Sequence, residues 1–395
     1  MKYATLVCLC IALSLASKAG ATGRSSRYQI TNVESPALSD PACLPGHAVR
    51  TVAWGINDFG TVAADYLCYV VSANAPVVQS FGKGFIWSRF LGAQAIPTPA
   101  GSQGVHAQSV NDWGQVFGRE ITSSGEAYGV QWAPYGAYQR NFTGSSCGAI
   151  DGAVAGSLTG FSVAWGLRPD VATGACSVKW LIRAPWGAIS EGPVGGQPWD
   201  LNVRNVAVGD AGSAAVKVQV PSGRTQVLFA GTATTFGRAQ DINDDGEVAG
   251  YLSQQNKFCG QATAASWDRD GRIQILPHLR GQASSRAHAI GDDEVVGQSG
   301  PGLYCDKPYS EEERAVIWQS RRVTDLNSLI PGWLGITLTR AVGVNHKGQI
   351  AVIGFRTAEP LAECPVLTWD ENDNPLLDYS KKCRNFHSFV LTPIH

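Results

Sequence analysis

A short motif that recurs along the chain constrains its fold more than any other feature. Five copies are clear: AWGINDFGTVAA from Ala53, AQSVNDWGQVFG from Ala107, AQDINDDGEVAG from Ala239, AHAIGDDEVVGQ from Ala287 and AVGVNHKGQIAV from Ala341. Two weaker copies fill the wider gaps, CGAIDGAVAG from Cys147 and PWDLNVRNVAVG from Pro198. Because Asn and Asp side chains hydrogen-bond the nearby backbone and Gly accepts a positive φ, Asn-Asp-x-Gly closes a tight hairpin. Each copy therefore predicts two strands joined by a turn.

A second hairpin follows in most copies, where an apolar strand ends in Trp before a polar turn. The residues at this place are Trp87, Trp132, Trp180, Trp267, Trp318 and Trp369, with Val218 in the fourth copy. Four strands in a unit of about 40 to 50 residues is typical of a propeller blade. The repeats start near residues 53, 107, 147, 198, 239, 287 and 341. They predict an all-β fold, a seven-bladed β-propeller of four-stranded antiparallel blades, as a single domain over residues 22–395. An open β-solenoid is the main alternative, but its rungs are shorter and its ends need caps.

The two ends of the mature chain are both strand-like. SRYQITNV lies near the N-terminus and HSFVLTPIH at the C-terminus, and neither has a partner within its own stretch. Pairing of these strands would close the ring and remove exposed sheet edges. Residues 366–379 fit either the outer hairpin of the seventh blade or an insertion before HSFVLTP.

The start of the chain has the features of a secretory signal peptide. Lys2 precedes an apolar stretch that reaches about Ala16, and small residues lead up to Ala21. This pattern predicts residues 1–21 as a signal peptide cut near Ala21, and a secreted or periplasmic bacterial protein. Nothing later in the sequence approaches the ~20 continuous apolar residues of a membrane-spanning helix.

Cysteine usage agrees with export. Eight cysteines remain beyond the predicted cleavage point: Cys43, Cys68, Cys147, Cys176, Cys259, Cys305, Cys364 and Cys383. An even count in an oxidising compartment indicates disulfides, and no C-x-x-C pair suggests a redox or zinc site. The expected blade geometry favours four pairs: Cys147 with Cys176, Cys259 with Cys305, Cys364 with Cys383, and Cys43 with Cys68.

Charge and motifs argue against several classes of function. The net charge is -1 and only 16% of residues are charged, so no long-range field attracts nucleic acid or an anionic membrane. The sequence lacks H-E-x-x-H and a phosphate-binding Gly loop, so no cofactor is expected. We expect a monomer.

The fifth copy contains D-I-N-D-D-G, which is the opening of a calcium-binding loop. Asp241, Asn243 and Asp245 match the first ligand positions, but Leu252 stands where a bidentate Glu is needed. The position of Asp241 holds Gly55 in the first copy, so its acidity is not part of the repeat. This segment is therefore interpreted as a hairpin turn, and no metal site is predicted.

The repeat resembles a known family. The pattern A-x-x-[IV]-N-D-x-G-x-V-x-G, followed by an apolar strand ending in Trp, is similar to the HAF repeat of bacterial extracellular repeat proteins. The closing HSFVLTP resembles the ends of such chains, and the likeness covers nearly all of the mature chain, although the third and fourth copies depart from Asn-Asp-x-Gly. The resemblance implies a secreted, propeller-like protein. It carries no catalytic residue over to this chain.

Candidate site residues are the positions that the repeat leaves variable. The residue before the small one is Val52, His106, Ser146, Gln197, Arg238, Arg286 or Arg340. The residue after it is Trp54, Gln108, Gly148, Trp199, Gln240, His288 or Val342. In a propeller the first strand of each blade lines the central channel, so the three arginines should share one arc of its mouth. There they could bind carboxylate, phosphate or sulfate through forked hydrogen bonds, with Gln240 and His288 just inside.

Two classes of function fit these residues. The first is a module that binds an acidic glycan or a protein partner on this face. The second is an enzyme such as a polysaccharide lyase, with His106 or His288 removing a proton beside an arginine-bound uronate. A purely structural alternative is that each arginine forms an ion pair with a neighbouring blade. The aromatic residues Trp54, Trp113, Tyr135 and Trp333 could stack on sugar rings if exposed, although core packing is the commoner role.

Overall fold

The structure is a computed structural model of the chain, and it confirms the seven-bladed propeller. It describes residues 27–39, 49–68, 81–133, 138–142, 146–148, 151–170, 173–254, 261–302, 311–363, 366–369, 375–378 and 382–394. Seven four-stranded antiparallel sheets follow one another. We number them blade 1 (49–95), blade 2 (102–142), blade 3 (151–194), blade 4 (198–229), blade 5 (235–275), blade 6 (284–325) and blade 7 (336–356 with 387–393 and 28–33).

The strands occupy equivalent places in each blade. The first strands are Val49–Ile56, Ser102–Val110, Asp151–Gly156, Pro198–Leu201, Thr235–Ile242, Ser284–Ile290 and Ile336–Val344. The second strands are Val62–Cys68, Val116–Thr122, Ser162–Pro169, Val206–Ala211, Val248–Gln254, Glu294–Gly300 and Ile350–Arg356. The third strands are Phe81–Ser88, Ala127–Trp132, Cys176–Arg183, Ala214–Gln219, Ala262–Trp267, Arg314–Gln319 and His387–Pro393. The fourth strands are Gly92–Ala95, Gln139–Phe142, Ile189–Val194, Arg224–Phe229, Ile273–Ile275, Arg322–Asp325 and Tyr28–Val33.

The sheets form a closed ring. The first strand of every blade contacts the first strand of the next blade, and that of blade 7 contacts that of blade 1. Blade 7 is completed by both chain ends, because Tyr28 pairs with Pro393 and Val33 with Ser388. The predicted closure by terminal strands is therefore confirmed, and a linear solenoid is excluded.

The segment that the sequence left ambiguous is an insertion. Among the residues that the structure describes, Val366–Trp369 pairs only with Pro375–Asp378 in a two-stranded sheet, and Ala362–Glu363 pairs with Lys382–Cys383. The third strand of blade 7 is instead His387–Pro393, which pairs with the second strand.

The third blade starts later than the weak copy at Cys147 predicted. Its first strand is Asp151–Gly156, in which Ala153 pairs with Ala164 as Ala53 pairs with Ala64 in blade 1. Its turn spans residues 157–160, where Ser157 N donates to Phe161 O. Ser-Leu-Thr-Gly thus replaces Asn-Asp-x-Gly here, which is why the copy was aligned on the wrong residues.

The asparagines of the turns also join the blades. The backbone turn is fixed within each blade, since Asn57 Oδ1 accepts from the Phe59 and Thr61 amides. The side-chain amide then donates to a carbonyl of the next blade in Asn57, Asn111, Asn202, Asn243 and Asn345. The bond from Asn345 to Asn57 O joins blade 7 to blade 1 at 2.8 Å. The motif therefore specifies both a hairpin and its place in a ring.

The hydrophobic core consists of separate clusters between neighbouring blades rather than one central core. The third-strand tryptophans are buried, and Trp180, Trp267 and Trp318 also donate their indole N–H to backbone carbonyls of neighbouring blades or the loops joining them. The small residue of the repeat is buried where first strands meet the next sheet, as in Ala53, Ala239 and Ala341, each 0% exposed. Among the described residues, no helix is long and apolar enough to cross a membrane.

One predicted disulfide falls on described side chains, and it is confirmed. Cys147 is bonded to Cys176 with a sequence separation of 29 residues. The other predicted pairs, involving Cys43, Cys68, Cys259, Cys305, Cys364 and Cys383, lie outside the described side chains.

Candidate functional site

A β-bulge interrupts the first strand of every blade at the same position. The pairing register shifts between Ala53 and Gly55 in blade 1, and at the equivalent place in each of the other six blades. The residue inside the shift has no partner on the second strand, and such bulges re-aim a side chain. The seven bulged residues are Trp54, Gln108, Val154, Trp199, Gln240, His288 and Val342.

These seven residues, which we call the bulge ring, surround a cavity in the central channel. The cavity has a volume of about 290 Å³ and is also lined by Ser109, Asp200, Asp241 and Arg340. Its wall combines two indoles with amide, imidazole, carboxyl and guanidinium groups. Within the described part of the chain, neither Gln108 Oε1 nor Gln240 Nε2 has a hydrogen-bond partner, although both atoms are buried. Buried polar atoms normally have a partner, so these two atoms can accept and donate to a ligand.

Each indole of the bulge ring is held by a buried aspartate. Trp54 Nε1 donates to Asp65 Oδ2 at 3.0 Å, and Trp199 Nε1 donates to Asp210 Oδ1 at 2.8 Å. Asp65 and Asp210 are 4% exposed, so a hydrogen bond to a buried carboxylate fixes the orientation of each indole. Both pairs are separated by 11 residues in sequence.

The same two aspartates each bind a nitrogen-bearing side chain of the following blade. His106 Nδ1 lies 3.1 Å from Asp65 Oδ2, and Arg238 Nε lies 3.3 Å from Asp210 Oδ1. The Arg238 guanidinium also stacks on the Trp199 ring, with its Cζ 4.7 Å from the ring centroid. His106 and Arg238 therefore occupy equivalent places at the ends of two matched clusters.

The three predicted arginines lie on one arc of the channel. Arg238 and Arg286 both contact the Tyr251 ring, at 5.8 and 5.1 Å from its centroid. Arg340 Nη2 lies 3.5 Å from Glu313 Oε2 of blade 6. Arg238 and Arg340 are thus in ion pairs with the preceding blade, as the structural alternative predicted, and their side chains are 16% and 20% exposed.

His288 lies among these arginines and is neutral at physiological pH. Burial and the charges of Arg340, Arg286 and Arg238 lower the pKa of His288 to about 3. Its Nε2 is 2.9 Å from Gln298 Oε1, and Gln298 Nε2 donates to Glu313 Oε1 at 2.7 Å. Because a carbonyl oxygen only accepts, His288 must donate from Nε2, which leaves Nδ1 as an acceptor in the neutral ring.

Two carboxyl groups meet in the wall between the bulge ring and the turns. Asp200 and Asp241 are hydrogen-bonded to each other, and burial raises the pKa of both. The Asp200 charge raises the pKa of Asp241 further, so Asp241 carries the shared proton. Asp241 Oδ2 accepts from the Ile290 amide at 2.7 Å, and Asp200 Oδ2 from the Ile242 amide at 3.2 Å. The acidic residue that resembled a calcium ligand therefore faces the channel as half of a carboxyl pair.

The remaining sequence predictions have mixed outcomes. The structure brings Gln240, His288 and Arg340 to one cavity, but Ser146 and Gly148 are not at the predicted positions, which belong to Gly152 and Val154. The aromatic side chains of Trp54, Trp113 and Trp333 are 45%, 63% and 84% exposed, so the core-packing interpretation was wrong for them. Tyr135 lies outside the described residues.

The acidic partners Asp65, Asp210, Asp200 and Glu313 were not predicted from the sequence. A signal existed for three of them. Trp and Asp 11 residues apart occur in both the first and the fourth copy, and Asp200 and Asp241 occupy the same repeat position in adjacent blades. Glu313 carries no such signal, because it precedes the third strand of blade 6 in a loop.

Comparison with known proteins supports the fold alone. The structure is similar to the β-propeller domain of the Trilobed protease from Pyrococcus furiosus, described as having an open velcro topology, with a TM-score of 0.51 and 11% identity over 84% of this chain and 96% of that one. It is also similar to Pyrococcus horikoshii acylaminoacyl peptidase (TM-score 0.49, 10% identity), covering 84% of this chain but only 53% of the peptidase. A puromycin-hydrolyzing peptidase of Mycobacterium tuberculosis matches with a TM-score of 0.42 and 14% identity, over 78% of this chain and 57% of that one. No family model and no curated protein matches the sequence, so membership of the HAF-repeat family stays a prediction.

Proposed function

We propose that this protein is an exported binding module that takes an acidic sugar, such as a uronate or sulfated residue of a glycan, into its central channel. The observation that carries the proposal is the bulge ring, which directs two fixed indoles and several polar side chains into one cavity. Pockets that combine aromatic walls with a few convergent polar groups are the usual sites for small ligands.

The walls of the cavity suit a sugar ring. Trp54 and Trp199 come from blades 1 and 4, so their indoles stand on different sides of the channel. Indole faces present apolar surface to the C–H groups of a sugar, while Gln108 Oε1 and Gln240 Nε2 offer an acceptor and a donor to its hydroxyls. Because the indole N–H groups are already bound by Asp65 and Asp210, the rings are held in place before a ligand arrives.

The arginines favour an anionic group on the ligand. Arg340 lines the cavity itself, and Arg238 and Arg286 are close enough to lower the pKa of His288 together with it. Each is paired with a carboxylate or stacked on an aromatic ring, which orients the guanidinium, and the positive charge of three arginines on one arc attracts an anion. We therefore place the carboxylate or sulfate of the sugar at this arc.

The enzymatic alternative, a polysaccharide lyase, is not favoured. A lyase needs a base whose pKa lies near the working pH, and the pKa of His288 is about 3. His106 lies in blade 2 and is bound to Asp65 of blade 1, whereas the three arginines lie in blades 5 to 7. If the protein were a lyase, incubation with uronate polysaccharides would produce unsaturated products that absorb in the ultraviolet; we expect none.

The proposal is tested by titrating oligogalacturonate into wild-type protein and matched variants, with calorimetry as the readout. Trp54→Ala and Trp199→Ala should each weaken binding by about tenfold or more, because stacked aromatics are commonly binding hot spots. Arg340→Ala should weaken binding similarly. Trp333→Ala removes an indole that is more exposed than Trp54 and lies in a loop outside the channel, and it should leave binding unchanged.

The triple variant Arg238→Ala, Arg286→Ala, Arg340→Ala separates the functional from the structural interpretation of the arginines. A ligand site predicts lost binding at a temperature where the variant remains folded. A variant with a lower melting temperature and intact binding would show that the arginines only join blades. Export is part of the proposal, and it is supported by the disulfide between Cys147 and Cys176, a bond typical of oxidising compartments.

A further inference from the structure

A second candidate surface is formed by the hairpin turns of the blades. The hairpin turns that join first to second strands and third to fourth strands lie at the same edge of an antiparallel blade. In blade 3 the two turns touch, since a Cβ on Gly160 would lie 3.2 Å from Pro185. We call the side of the ring formed by these turns the turn face.

The turn face of blades 1 to 3 exposes large apolar side chains. They are Phe59 (69% exposed), Phe90 (90%), Leu91 (62%), Trp113 (63%) and Trp186 (74%). Phe59 and Trp113 stand on adjacent turns that are directly bonded, because the Asp58 amide donates to Asp112 Oδ1 at 2.9 Å. We call these five side chains the aromatic patch. Several large apolar side chains exposed on one face of a soluble protein indicate an interaction site.

The turn face of blades 5 and 6 is acidic. A groove of about 570 Å³ between these blades is lined by more carboxylates than guanidinium groups: Glu247, Asp268, Asp292, Asp293 and Glu294, with Arg272 and Arg321. Burial, together with the charges of Asp293 and Asp292, raises the pKa of Glu294.

The aromatic patch and the acidic groove meet at the channel mouth. A single imidazole spans the gap between them, because His346 lies 2.6 Å from Asp292 and 3.7 Å from Asp58, the residue before Phe59. One partner can therefore contact both areas. Anionic lipid is disfavoured by the carboxylates.

We propose that the turn face is a docking surface for a protein that presents an apolar segment flanked by lysine or arginine. The aromatic patch supplies the buried centre of such an interface, where Trp is often a hot spot, and the acidic groove supplies charge complementarity. This surface is independent of the channel site, so either proposal can fail without the other.

The test uses a labelled 12-residue peptide of alternating Trp and Lys, with fluorescence anisotropy as the readout. We expect saturable binding that weakens with added salt, and no comparable binding of the alternating Trp-Glu or Ser-Lys peptides. The double variant Phe59→Ser, Trp113→Ser should weaken binding by about tenfold or more. Asp292→Asn, Asp293→Asn should weaken it less and reduce its salt dependence. Melting curves establish that both variants fold.

Trp333→Ser is the matched control, because this residue is 84% exposed in the loop that leads from the fourth strand of blade 6 into blade 7, outside the turn face. It should bind the peptide like the wild type. The proposal is overturned if the Trp-Lys peptide does not bind saturably, if the Trp-Glu peptide binds equally well, or if Trp333→Ser causes the same loss. It is also overturned if the wild type binds cellohexaose or neutral phosphatidylcholine vesicles instead of the peptide, and the Phe59→Ser, Trp113→Ser variant no longer binds them.

Discussion

Replacing Asp241 with Asn should stabilise the protein, and should do so increasingly as the pH rises. In the folded protein Asp241 carries the proton of the Asp200–Asp241 pair, since burial and the Asp200 charge raise its pKa. An asparagine side chain can donate an N–H to Asp200 and accept from the Ile290 amide, so it imitates the protonated form. The variant keeps the hydrogen bonds and removes the need for a proton.

The magnitude follows from proton linkage. The unfolded chain releases this proton above its ordinary pKa of 3.8, whereas the folded chain keeps it until the raised pKa of Asp241. Because the folded state binds one more proton in this window, the free energy of unfolding of the wild type falls by up to about 1.4 kcal/mol per pH unit. This loss is absent below pH 3.8 and complete above the folded pKa. The variant lacks this loss.

Urea denaturation of the wild type and Asp241→Asn at half-unit pH intervals measures the effect. The difference in the free energy of unfolding should increase in favour of the variant over the window and then become constant. Asp245→Asn is the control, because Asp245 is an exposed carboxyl of the same turn with a side chain 79% exposed. A difference that does not vary with pH, or the same slope in the control, would refute the shared proton.

Three further predictions concern stability. Asn345→Ala removes the bond to Asn57 O at the junction of blades 7 and 1 and should lower the free energy of unfolding by about 1–3 kcal/mol in urea denaturation; a change below about 0.5 kcal/mol would contradict its role in ring closure. Replacing Cys147 and Cys176 with Ser opens a loop of 29 residues and should cost about 3–4 kcal/mol, measured against the oxidised wild type, with no loss if the bond does not form. Burial lowers the pKa of His346, but the hydrogen bond to Asp292 and the charges of Asp58 and Asp244 outweigh it and raise the pKa above 6.5. The ion pairs of His346 therefore stabilise the fold below pH 6.5 and lose this effect as the pH rises through the raised pKa, so His346→Gln should flatten the melting temperature against pH in that range; an unchanged profile would contradict it.

Much of the fold follows from the sequence because the repeat encodes local structure. Asn-Asp-x-Gly determines a turn through short-range hydrogen bonds, and a Trp at a fixed distance marks a buried third strand. Counting these units gives the number of blades, and the strand-like ends suggest the closure that the pairing of Tyr28 with Pro393 confirms. The third blade was misaligned because Ser157 and Leu158 replace the Asn-Asp signal.

The site was less predictable because it depends on contacts between blades. The sequence identifies variable positions such as Gln240 and His288, but it does not show that a bulge turns all of them into one channel. The pairing of Asp200 with Asp241, and of Arg340 with Glu313, joins residues from neighbouring blades. Such pairs appear only when the copies are aligned in register and arranged in a circle, and Glu313 lies outside the repeat altogether.

The central claim, that the channel recognises the negative charge of a sugar, is tested most directly by comparing oligogalacturonate with the same oligosaccharide after methyl esterification. Calorimetric titration of the wild type should show binding of the free acid and at least about a tenfold weaker interaction with the neutral ester, since charged hydrogen bonds contribute about 1.5–3 kcal/mol. Equal binding of the two sugars, or binding of neither, would contradict the account.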